Sequence, residues 1–132
     1  MTLPPLSPFL AQLGAEHLGE ADGRAQMRLT LAAPHLNTYE VAHGGVLMAL
    51  LDAVMAAAAR SRVPGVAGFV TLEMKTSFFK AAEGTLAVAG EVMHLTPTLA
   101  FTQGWVRDAA NDVCAHATGT FKPMRALKPP VR

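Results

Sequence analysis

The spacing of hydrophobic and polar positions changes several times along the chain, and each change marks an element. Residues 24–31 alternate strictly, with Ala25, Met27, Leu29 and Leu31 on one face and Arg24, Gln26, Arg28 and Thr30 on the other. That is the period of a half-buried antiparallel strand. Asp22-Gly23 immediately before it is a strong hairpin signal, so residues 15–18 are read as its partner strand. From Gly44 or Gly45 to Arg60 the chain is almost wholly apolar, which predicts a helix buried on all sides and interrupted by one carboxylate, Asp52. Three strand-like segments follow over residues 69–79, 85–94 and 99–107, and Ala109-Ala110-Asn111-Asp112 turns the chain into a last strand over 113–121. Residues 5–13 predict a short helix with Pro8 near its start and Gly14 ending it. One helix among antiparallel strands is an α+β pattern, and a helix without a polar face needs a sheet that curls around it.

Composition narrows this picture. Of 132 residues, 51% are apolar and 16% charged, enough for one domain spanning 1–132 and more apolar surface than a small monomer can cover. A homo-oligomer is therefore expected. The net charge of +1 offers nothing to attract nucleic acid. The apolar stretch around Asp52 is too short for a membrane span and carries its charge near the middle. Met1-Thr2-Leu3-Pro4-Pro5 has no basic residue ahead of its apolar ones, so no secretory signal is indicated and a soluble, cytoplasmic protein is expected. Cys114, the single cysteine, has no internal partner and reads as a small buried apolar residue. Residues 1–14 read as an N-terminal segment; the tail over 122–132 holds three prolines and four basic residues and reads as loosely ordered.

Asp52 is the residue that asks for a chemical explanation. A buried carboxylate is costly unless it is paired or hydrogen-bonded, and a capping role does not exist in mid-helix. Gly44 and Gly45 stand where the helix begins, where unpaired backbone N–H groups suit a developing oxyanion and glycine lets a ligand approach closely. A tight turn into the helix would need the same glycines. Asp52 lies eight residues beyond Gly44, about 12 Å along a helix rising ~1.5 Å per residue. Groups acting on one carbonyl must lie within roughly 3 Å of it. If both act, a second copy of the helix has to bring its Asp52 to the first copy's N-terminus, as a two-fold dimer does. The five histidines show no zinc-site spacing, and no Gly-x-Ser-x-Gly elbow, phosphate-binding loop or dinucleotide fingerprint appears. No metal or cofactor is expected.

Asn37, then His43-Gly44-Gly45, then Asp52 in an apolar helix, then a strand carrying Val70-Thr71-Leu72-Glu73 and a last strand ending Thr118-Gly119-Thr120-Phe121, form a combination from about Ala15 to Phe121. It resembles the hotdog-fold acyl-CoA thioesterases of the PaaI-like group. The resemblance implies a long central helix wrapped by a curved antiparallel sheet, and active sites at a dimer interface that draw on both subunits. It further implies a tetramer of two dimers, and CoA as part of the substrate rather than a cofactor. By the same resemblance the Gly44 N–H polarises the thioester carbonyl, Asn37 and His43 help position substrate or water, Asp52 of the partner subunit acts as general base or nucleophile, and Thr71 assists the attacking water.

Plainer readings stand beside these. His43 can be a loop histidine satisfied by backbone, Asn37 can bond its own loop, and Thr71, Glu73, Lys75 and Ser77 can form one polar row on a solvated sheet face. Met48 and Met55 share the helix face with Asp52, as an adaptable acyl pocket or as core filler. Gly45 offers close approach to substrate, and Arg60, Arg62 and Lys80 are candidate contacts for CoA phosphates. Two positions depart from the family pattern: Glu40 replaces a glycine before His-Gly-Gly, and Ala81-Ala82 replaces a proline. They put the loop path and the substrate preference in question. The alternative to an enzyme is a non-catalytic acyl-CoA-binding module or sensor on the same fold, which needs no Asp52 opposed to Gly44.

Overall fold

The computed structural model describes residues 3–125. A short helix α1 (Pro8–Leu13) is capped by the Ser7 hydroxyl, which accepts the Leu10 N–H, and ends at Gly14 in the left-handed conformation. The hairpin β1 (Glu16–Ala21) and β2 (Arg24–Thr30) follows. Asp22 and Gly23 both take positive φ, 54° and 81°, as its two-residue turn requires. The helix α2 (Gly44–Arg60) leads to β3 (Gly68–Phe78), β4 (Thr85–Leu95), β5 (Ala100–Arg107) and β6 (Val113–Met124). The strands form one six-stranded sheet in the order β1-β2-β4-β5-β6-β3, antiparallel at every pairing. Among the described residues no helix is long and apolar enough to cross a membrane.

α2 touches all six strands. Six strands ~4.8 Å apart would span about 24 Å if flat, more than twice the width of one helix, so the sheet curls around α2. Alternation puts Ala25, Met27 and Leu29 of β2, and Leu86 and Val88 of β4, on the concave face against it. Close contact is allowed by glycines on neighbouring strands. A methyl group added at Gly90 would stand 2.8 Å from the Val54 carbonyl oxygen of α2, and one at Gly104 would stand 3.2 Å from Leu51 Cδ2. At Gly119 it would meet Met55 Cε at 3.1 Å. Cys114 is fully buried, as the sequence implied; burial and then the charge of Asp108 push its thiol's pKa up.

The helix is not buried on all sides. The sheet covers one side of it, and among the described residues the other side is approached over its second half by the N-terminal segment and α1. Leu47, Leu50, Leu51, Val54 and Met55 face the sheet, while Gly45 and Met48 are exposed and Asp52, Ala53 and Ala56 only half-buried. The last strand also runs three residues past Phe121, because Lys122, Pro123 and Met124 pair with Val70, Phe69 and Gly68 of β3. The start of the expected loose tail is thus sheet, and residues 126–132 lie outside the described residues.

The far end of α2 is pinned to the hairpin. The Gly23 N–H donates to Ser61 Oγ at 2.8 Å, and Arg60 reaches Glu20 twice, through Nη2 at 2.5 Å and Nε at 3.0 Å. Burial raises the pKa of the Glu20 carboxyl, but hydrogen bonds from Arg60 and His17 and their charges outweigh it and hold the group below its ordinary 4.5. A depressed carboxyl contributes stability that is present above its unfolded value and lost as pH falls through the folded one. Denaturant titrations below pH 4.5 should therefore show wild type losing stability more steeply than Glu20→Gln. For the helix contact, Gly90→Ala should lower unfolding free energy by about 1–3 kcal/mol in urea melts, the usual cost of overpacking.

Candidate active site

The loop into α2 is built by its own polar groups. Asn37 Oδ1 accepts the backbone N–H of Tyr39 at 2.8 Å and of Val41 at 3.3 Å, and the Asn37 N–H bonds the Val41 carbonyl at 2.8 Å. This tight turn brings Glu40 to φ 63°, the left-handed region that favours glycine. The replacement of glycine at this position therefore leaves a glycine-type path in place at the cost of strain. Ala82 is buried, and its carbonyl accepts the Ala42 N–H at 3.0 Å, holding the chain before β4 against the same loop.

His43 is the N-cap of α2: its Nδ1 accepts the Gly45 N–H at 2.8 Å. The Gly45 N–H is thus spent on the cap. Among the described residues the Gly44 N–H has no hydrogen-bond partner. Gly44 lines a cavity of about 330 Å³ with Asn37, Leu47, Phe78, Phe79 and Lys80. A free helix N-terminal donor in a recess walled by aromatic side chains is suited to an oxygen that gains negative charge.

Asp52 sits elsewhere. It lines a separate cavity of about 180 Å³ that shares no residue with the first. Thr71 Oγ1 donates to Asp52 Oδ1 at 2.5 Å, and among the described residues Oδ2 has no partner and no cation pairs with the group. Asp52 is neither sealed in the core nor neutralised within its own protomer.

Thr71 reaches it because of an irregularity that alternation does not reveal. In the β3–β6 ladder Thr71 pairs with Phe121 but Glu73 already pairs with Thr120, leaving Leu72 as a bulge. A bulge reverses the facing of everything beyond it. Thr71 therefore shares the concave face with buried Phe121, while Glu73 turns to the convex face and accepts the Thr120 hydroxyl at 2.6 Å. The single polar row expected over Thr71, Glu73, Lys75 and Ser77 is broken at its first member, and that member faces the helix.

The other candidates divide. Met48 stands on the open helix face, 37% exposed, whereas Met55 is enclosed against Gly104 and Gly119 as core filler. Arg60 is bound to Glu20, and Arg62 lies along the hairpin turn at Gly23, at the end of α2 away from Gly44. Lys80 lines the Gly44 cavity, but its ammonium is held between Asp108 at 2.8 Å and Asp112 at 3.0 Å. The bond to Asp108, then that to Asp112, drives its pKa well up. Lys80 and Arg60 thus already carry compensated charges. Sequence reading passed over these acidic partners, which stand 28 and 32 residues from Lys80 and 40 from Arg60.

The sequence profile of the thioesterase superfamily matches residues 39–115, from the loop before α2 into β6. The chain belongs to the thioesterase superfamily. A provisionally assigned esterase of Archaeoglobus fulgidus is 31% identical over 121 residues, covering 89% of this chain and 76% of the relative. A conserved Pseudomonas aeruginosa protein superposes with a TM-score of 0.84 at 30% identity, over 90% of this chain and 95% of that one. A variant of the phenylacetic acid degradation protein PaaI from Thermus thermophilus does so with a TM-score of 0.80 at 28% identity, over 88% and 98%. The fold is the hotdog fold, as the resemblance implied, and the family is one of hydrolases.

The strain at Glu40 has a measurable consequence. Glu40→Gly should raise unfolding free energy by about 0.5–1 kcal/mol in urea melts, since relief of a left-handed side chain exceeds the entropy glycine adds to the unfolded chain.

Proposed function

We propose that this thioesterase hydrolyses acyl-CoA thioesters in a homodimer, where the Gly44 N–H of one protomer and Asp52 of the other meet at one thioester carbonyl. The observation that carries the reading is the pairing of two unfinished half-sites. Among the described residues a backbone donor without a partner lies in one cavity and a carboxylate with a free oxygen in another, too far apart along one helix to act on one carbonyl. An antiparallel second copy of α2 completes both at once.

The surface around them favours such a partner. β3 is an edge of the sheet and exposes Val70, Leu72 and Phe78, the last lying close to Gly44; Phe79, Met48 and Tyr39 are exposed as well. Exposed apolar groups on an unpaired edge suit a second copy of this chain. A tetramer of two such dimers is part of the same reading.

In this arrangement the thioester oxygen accepts the Gly44 N–H. Asp52, held by Thr71, takes a proton from water as the water oxygen bonds the carbonyl carbon, and the negative charge gathers opposite the helix N-terminus. The C–S bond then breaks and the proton passes to the departing sulfur, leaving free acid and CoA thiol. Direct attack by Asp52, giving an anhydride that water then opens, uses the same groups. Asn37 shapes the Gly44 loop, and His43 acts as its cap.

Thiol release from a panel of aryl- and alkyl-CoA thioesters tests this. Wild type should turn over members of the panel, and Asp52→Asn, checked for native folding, should lower kcat by about two orders of magnitude or more. Binding of CoA esters without turnover by wild type would replace the hydrolase with a binding module.

A further inference from the structure

The Asp52 cavity has a roof supplied by a part of the chain that the reaction itself does not use. Its floor is the open face of α2, where Ala53 and Ala56 leave room that larger side chains would fill, and its wall is Met27 of β2. Pro5, Leu6 and Leu10, from the N-terminal strap and α1, line the side opposite that floor. At its far end Arg60 lines both this cavity and a larger hollow of about 500 Å³ bordered by Leu3 and Pro4. The cavity itself therefore runs from Asp52 along one helix face to Arg60, about 12 Å at ~1.5 Å per residue.

Its polar groups are occupied except at the entrance. Ser7 caps α1 and Arg60 is bound to Glu20, so Asp52 is left as the group with a free oxygen. Between Asp52 and Arg60 the side chains of Pro5, Leu6, Leu10, Met27, Ala53 and Ala56 give the cavity an apolar middle. Its volume of about 180 Å³ next to Asp52 compares with the ~150 Å³ apolar cavity that accepts benzene.

We propose that residues 5–7 roof the acyl-binding channel of this thioesterase, that the acyl group lies from Asp52 over Ala53 and Ala56 beneath Leu6, and that Leu6 limits it to a single aromatic ring or a short chain. This rests on the hydrolase reading above and adds its substrate class. The strap suits the role because its hold on the fold is slight. Among the described residues no hydrogen bond involves residues 3–6, and Leu6 is only partly buried against the core. α1 behind it is firmly anchored: Leu10 is buried, and the His35 Nε2–H donates to the Leu13 carbonyl at 2.7 Å. The roof is thus set in position at one end and adjustable over the slot.

The test measures kcat/KM for acetyl-, phenylacetyl-, hexanoyl- and decanoyl-CoA with the full chain. Leu6→Ala should raise the decanoyl-to-hexanoyl ratio by about tenfold or more, and Ala56→Leu should lower the phenylacetyl-to-acetyl ratio by a similar factor, the scale on which apolar pockets discriminate. Should Ala56→Leu fail to fold, Leu6→Ala decides alone, because Leu6 lies outside every helix and strand. Ratios within about twofold of wild type, with turnover still lost in Asp52→Asn, would place the acyl group elsewhere and leave the hydrolase reading intact. A wild type that turns over none of the four would remove that reading and this one together.

Discussion

The approach of α2 to the backbone of its own sheet is the constraint on which the rest of the molecule depends. Gly90, Gly104 and Gly119 give the helix a surface without side chains to lie on, and Leu51, Val54 and Met55 fill it. Because the helix sits so low, strands on both edges can curl far enough to touch it. Close packing of this kind tolerates little adjustment. It sets the rotation of α2, and so decides that Met48 stands on the open face and that Asp52 comes within reach of Thr71 on β3.

From that rotation follows the placing of the two groups on which the proposed reaction depends. Gly44 and Asp52 lie in separate recesses, with exposed Met48 on the turn of helix between them. Two refinements ready each recess. His43 satisfies the Gly45 N–H and leaves that of Gly44, so the cap chooses which donor stays open. The bulge at Leu72 delivers the Thr71 hydroxyl to Asp52. Bulges commonly re-aim side chains beside functional sites, and here the result is a carboxylate held by one oxygen with the other free.

The charged side chains tell a complementary story. Those placed by the fold next to the two recesses are tied within the protomer, Arg60 to Glu20 and Lys80 to Asp108 and Asp112. These ties brace the hairpin against the end of α2 and the chain after β3 against the β5–β6 turn. They hold walls in place rather than standing open to a ligand's charge.

Much of the architecture was legible in the amino-acid order, because it rests on local signals. Strict alternation over β2, Asp22-Gly23 at its turn, Gly14 at the end of α1 and the long apolar run of α2 each carry their own structural preference. The separation of Gly44 from Asp52 also follows from sequence, since helical rise converts a count of residues into a distance. What only the tertiary structure decided concerns relations between distant segments. The bulge that turns Thr71 inward is defined by its register against Phe121 and Thr120, and the burial of Met55 but not Met48 depends on where the glycines of β5 and β6 fall. The partners of Arg60 and Lys80 belong to other strands and loops, and the roof over Asp52 comes from a segment some 45 residues earlier in the chain. Local preference has a range of a few residues; contacts closed by chain reversal are set by how whole elements pack, and no periodicity within a single segment records them.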